Sequence, residues 1–131
     1  MAYNKEMETV LQPGGLSLEF SREDLGHLNN ALNEVCNGFE VANFEAAIGL
    51  PYEQAAALLQ RVHGSGSLQK LNLSLPELDA LRNALTAVLA ELDPWEYATR
   101  MGFEVAESEA FRKRLDALAS ETRYGHIRQT A

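Results

Sequence analysis

Apolar residues along this chain fall into one rhythm that occurs twice, the second time 53 residues after the first. Leu16, Leu18 and Phe20 alternate with Ser17 and Glu19, the period of a half-buried strand. The period then lengthens. Leu25, Leu28, Leu32 and Val35 recur at three- and four-residue spacings, one stripe of an amphipathic helix. Ser21 stands at its cap position with Asp24 three residues on, a weaker form of the capping box. Asn37-Gly38 closes the helix, the glycine being expected to take the left-handed cap. A short second helix carries Val41, Phe44 and Ile48 and stops at Gly49. Pro51 opens a third, where proline costs no hydrogen bond, and its stripe is Tyr52, Ala55, Leu59 and Val62.

The second copy repeats these marks. Ser74, Leu78, Leu81, Leu85 and Val88 fall on Ser21, Leu25, Leu28, Leu32 and Val35. Tyr97 falls on Phe44, Met101 on Ile48, Gly102 on Gly49, Phe111 on Leu58 and Arg114 on Arg61. Apart from the arginine, what is kept is apolar positions, a cap and a glycine, which a fold needs specified. Helices are expected over Leu78–Leu92, Pro94–Met101 and roughly Ala106–Leu118. The strands Leu16–Phe20 and Leu71–Leu75 are expected to pair with each other, and Glu8–Leu11 with the turn Gln12-Pro13-Gly14-Gly15 reads as a hairpin. The expected fold is therefore mainly α with a small β element. It is read as a tandem internal duplication of a strand–helix–helix–helix unit, packed as a pseudo-twofold pair in one compact domain. Repeat one spans 16–63 and repeat two 69–118; a strand and turn over 1–15 precede them and a polar tail over 119–131 follows. His63-Gly64-Ser65-Gly66-Ser67 reads as a flexible joint between the copies.

Composition narrows the class. Of 131 residues, 46% are hydrophobic and 23% charged, the balance of a globular rather than a disordered chain. No apolar run approaches the ~20 residues that span a bilayer, and the polar start Met1–Glu6 has no apolar signal core. Cys36 is the one cysteine, which excludes an internal disulfide and suits a reducing cytoplasm; a small buried thiol is the expected role. The net charge is −8. Residues 16–68 hold two basic against seven acidic groups and residues 69–121 six against ten, so both copies are acidic. Such a field repels phosphate backbones and favours basic partners.

Candidate chemistry is sparse. His27 lies one turn from Glu23 and Asp24, but its counterpart is Ala80 and no H-x-x-x-H or H-x-E spacing occurs, so it is read as a surface histidine. Glu104, Glu107 and Glu109 cluster at a helix N-terminus, where acids complement the macrodipole. No nucleophile elbow, Gly-rich phosphate loop or Cys–His arrangement is present. The expectation is a non-enzyme with no cofactor and no metal.

The order of short helix, glycine turn and third helix resembles the helix-turn-helix of DNA-binding proteins. Ala98, Gly102 and Phe103 fit its alanine, turn glycine and following apolar residue, as do Gly49 and Leu50; the first copy departs at Glu45. The resemblance covers about twenty residues per copy and would place Pro51, Tyr52, Glu53, Ala56 and Ala57 in the major groove. The second-copy equivalents are Glu104, Val105, Ala106, Glu109 and Ala110. Neither set offers a lysine or arginine to a base or phosphate.

On the first helix, Glu23, Asn30, Glu34 and Asn37 lie opposite the leucine stripe. Asn30 and Asn83 hold equivalent positions although asparagine is a poor mid-helix residue; each either satisfies a buried backbone group or marks a contact face. Trp95, whose counterpart is Ala42, is either core filler or an interface anchor. These six residues are the candidate interaction set. The function expected is that of an acidic protein-interaction module in a bacterial-type cytoplasm, one form being an immunity or antitoxin protein covering a basic nuclease. The partner expected is a basic protein or a second copy of the chain, with no nucleic acid and no membrane. A divergent helix-turn-helix DNA binder is the alternative.

Overall fold

The computed structural model describes residues 9–12, 15–65 and 70–123. Strands β1 (Thr9–Gln12) and β2 (Gly15–Glu19) form the hairpin, and α1 (Arg22–Asn33) follows. A π-helical turn over Glu34–Gly38 extends α1 before α2 (Phe44–Ile48) and α3 (Tyr52–Ser65). Then β3 (Lys70–Leu73), α4 (Leu75–Glu91), α5 (Pro94–Met101) and α6 (Val105–Arg123) repeat the order of strand and three helices. The protein is mostly helical with a small antiparallel sheet of order β1-β2-β3.

Local chemistry explains the boundaries. Ser21 Oγ accepts from the Asp24 amide, and Ser74 and Glu77 form the full reciprocal capping box at the start of α4. Pro94 occupies the first turn of α5, where its missing N–H costs nothing. Gly49 and Gly102 end α2 and α5 in the left-handed region, at φ 101° and 76°. Gly38 departs from its expected role. Its φ is not positive, and the chain leaves the π turn through Phe39 in extended conformation. A Cβ on Gly38 would press on the Glu34 carboxylate, which would have to shift away from it. The expected joint is also partly helical, because α3 runs on through His63, Gly64 and Ser65; Gly66 and Ser67 lie outside the described residues. So does the tail beyond Arg123, and α6 runs further than the apolar stripe predicts.

The sheet register places Leu18 opposite Leu71, Leu16 opposite Leu73, and Glu19 opposite Lys70. The inward faces of β2 and β3 cover one end of a single core built from Leu28, Leu32, Ile48, Leu58, Leu78, Leu81, Leu85, Tyr97, Met101, Phe111 and Leu115. Burying each such leucine stabilises the fold by about 1.5–3 kcal/mol relative to leaving it in water. The helices interleave across the halves. α1 packs on α3, α4 and α5, while α4 packs on α1, α2 and α6. The two short helices thus sit against the long helix of the opposite half.

Candidate functional site

That interleaving decides where the six candidate residues lie. Asn30, half-buried on α1, donates its side-chain amide to the carbonyl of Met101 at the end of α5, at 2.8 Å. Asn83 on α4 donates to the carbonyl of Ile48 at the end of α2, also at 2.8 Å. A helix end leaves carbonyls without intrahelical donors, so each asparagine satisfies one belonging to the other half. The middle of the face opposite the leucine stripe of α1, around Asn30, is therefore covered by α5.

Glu34 lies on the same seam. It is buried, and its carboxylate receives the Arg100 guanidinium of α5, which also donates to the Gly38 carbonyl at 3.3 Å and to Glu96 at 2.8 Å. Hydrogen bonds that Arg100 donates to Glu34 first, then to Glu96, raise its pKa and hold its charge. Glu34 opens the π turn, and its carboxylate lies beside Gly38 at the other end of that turn. Asn37 is exposed on that turn and donates to Asn33 Oδ1. Trp95 stands in the first turn of α5, beside Glu96, with 78% of its surface exposed; it is not core filler. The α1–α5 seam thus brings together Asn30, Glu34 and the helix that carries Trp95, with Asn37 at its end. Glu23 is exposed at the other end of α1, roughly three turns away. Asn83 belongs to the second seam.

Two further exposed or half-exposed groups adjoin the π turn. Tyr52 is 45% exposed, donates to the Cys36 carbonyl at 3.3 Å, and packs edge-on against Phe44 at 5.4 Å. Cys36 itself is half-buried and burial pushes its thiol pKa up, away from thiolate chemistry.

Sequence reasoning matched Arg61 with Arg114 but gave neither a role. The structure gives them one in common. Arg61 on α3 bonds Glu77 and the Asn72 carbonyl, and Arg114 on α6 bonds Asp24 at 2.8 Å. Each arginine reaches the acid at the third position of the opposite half's long helix. The signal was their retention at matched positions, where solvent alone demands no arginine. His27 requires a correction: it is buried, not on the surface. Three of its neighbours, Phe103, Ser108 and Phe111, come from residues more than seventy positions away, which no local reading of its helix could supply.

Among the described residues no cluster of three or more His, Cys, Asp or Glu could hold a metal, and no helix is long and apolar enough to cross a membrane. Fold and seam define a class: a mainly helical protein with a small antiparallel sheet, whose short helices are anchored by asparagine across the halves. No family model, curated protein or solved structure matches the chain.

Proposed function

We propose that the chain is a tandem duplicate serving as a non-enzymatic, acidic protein-interaction module, with Trp95 and the outer edge of the α1–α5 seam as its contact face. The duplication is supported by reciprocity. Leu18 pairs with Leu71, its own counterpart under the 53-residue shift, and the two asparagine bonds and the two arginine–acid bridges exchange under the same shift. An ancestral pair of units would place its axis between those two leucines.

The exposure of Trp95 carries the functional reading. An indole left in water at the head of a helix, beside a network that already satisfies Arg100, contributes little to its own fold and has the properties of an interface anchor. Charge supplies the partner's class. Arg61, Arg82, Arg100, Arg112 and Arg114 are all engaged by acids within the chain, so the surplus field is negative. A basic protein fits that field, and an immunity or antitoxin protein in a bacterial cytoplasm, covering a basic nuclease, is one concrete form.

The test pairs two measurements. The chain should pass through a heparin column and leave a DNA duplex unshifted at low salt. A basic partner captured by the wild-type chain should be lost by Trp95→Ala and not by Tyr52→Ala alone. Retention on heparin with a steep salt slope would instead favour the helix-turn-helix reading.

A further inference from the structure

His27 is only 5% exposed. Its ring stacks on Phe103 at 3.6 Å between centroids and faces Phe111 at 4.9 Å. Nε2 lies 2.7 Å from Ser108 Oγ, which is fully buried on α6. At the matched positions the other half has Ala80, Leu50, Leu58 and Ala55, all apolar and all buried. The fold therefore accepts an apolar filling at this junction, and the imidazole is an addition to it.

The surroundings suit the neutral ring. One ring nitrogen is bonded, to Ser108, and no other hydrogen-bond partner of the ring occurs among the described residues. An imidazolium has two N–H donors and needs two acceptors. The charged and titratable groups around it are Asp24 on α1, Glu107 and Arg114 on α6, and Tyr97 on α5, whose buried hydroxyl lies beside Ser108. Asp24 gives one carboxylate oxygen to Arg114 at 2.8 Å.

We propose that the α1–α6 junction around His27 is an acid-sensitive joint: a second proton on the imidazole loosens the contact between the two halves, while the equivalent α4–α3 junction, with Ala80 at the matched position, has no imidazole to charge. Burial lowers the His27 pKa from 6.5 to about 4; Asp24 and Glu107 pull it up, and Arg114 pushes it down with burial. The folded state thus favours the neutral form. This contribution is complete above pH 6.5 and drains away as pH falls toward 4. Between pH 7 and 4.5 the folding constant should fall about 60-fold through this group alone.

Ring-proton NMR of the intact chain should show one histidine titrating well below the ordinary range. Denaturant unfolding at pH 7 and 4.5 should then separate the wild type from His27→Gln, which keeps a hydrogen-bonding group but does not titrate. It should also separate it from the double variant His27→Ala with Ser108→Ala, which takes the residues the other half uses. All three proteins carry the same carboxylates, so an excess loss in the wild type is assigned to His27. If the double variant does not fold, the glutamine variant and the NMR midpoint decide. A His27 midpoint at or above 6.5, or an equal acid loss in wild type and His27→Gln, overturns the proposal.

Discussion

The α1–α5 seam and the α4–α2 seam share one bond, from a mid-helix asparagine to the last carbonyls of a short helix, and differ in what surrounds it. Beside Asn30 lie the buried Glu34, the Arg100 guanidinium, a π turn and the exposed Trp95. At the positions matching Glu34, Arg100 and Trp95, the seam of Asn83 has Ala87, Ala47 and Ala42, and α4 continues as regular helix to Glu91. The shared bond is what the architecture needs. The rest is an elaboration of one seam, the one on which the proposed contact face lies. The His27 junction follows the same division, polar in one half and apolar in its counterpart.

The strongest way to break this comparison acts on the core common to both seams. Leu28 and Leu81 are matched and both fully buried. Replacing either by alanine should cost about 2–5 kcal/mol, from lost transfer energy and the cavity left behind. If the halves share one core, both variants lower the midpoint of a single unfolding transition by similar amounts. Two separated transitions, each sensitive to one of the leucines, would show instead that the seams belong to independent units.

A smaller effect isolates the shared bond. Asn30→Ala and Asn83→Ala each remove the donor to a helix-end carbonyl and should each destabilise by about 1–3 kcal/mol. The two sites have no common partner, so the double variant should be close to additive. A large difference between the single variants would mean that the Glu34–Arg100 network, present beside only one of them, shares the task.

These residues also mark how far the sequence could be read. The leucine stripes, Ser21 and Ser74, Pro94, and Gly49 and Gly102 announce the elements because each acts on its own helix within a turn or two. Matched Asn30 and Asn83 announced that they mattered, since asparagine mid-helix is otherwise unfavourable. Their acceptors were out of reach, because those carbonyls lie in the other half and depend on how the short helices cross. Glu34 was legible only as a polar residue opposite the stripe. Its burial accompanies the π turn, and nothing in Glu34-Val35-Cys36-Asn37-Gly38 distinguishes a π turn from an ordinary helix end. His27 was misplaced for the same reason, its covering rings being distant in sequence.

The smallest effect on stability is the most informative for function. Trp95 is 78% exposed, so Trp95→Ala should change the unfolding free energy by no more than about 0.5 kcal/mol, the range for surface positions outside special features. Binding should respond differently. An aromatic anchor at the centre of an interface costs about 2 kcal/mol or more when truncated, some thirtyfold in affinity. The reciprocal change, Ala42→Trp, places an indole at the matched point of the plain seam; it should be equally harmless to the fold and add nothing to binding. A loss of stability on Trp95→Ala would return the indole to a packing role. If affinity held, the elaborated seam would have to act through Glu96, Asn37 and the π turn without its exposed indole.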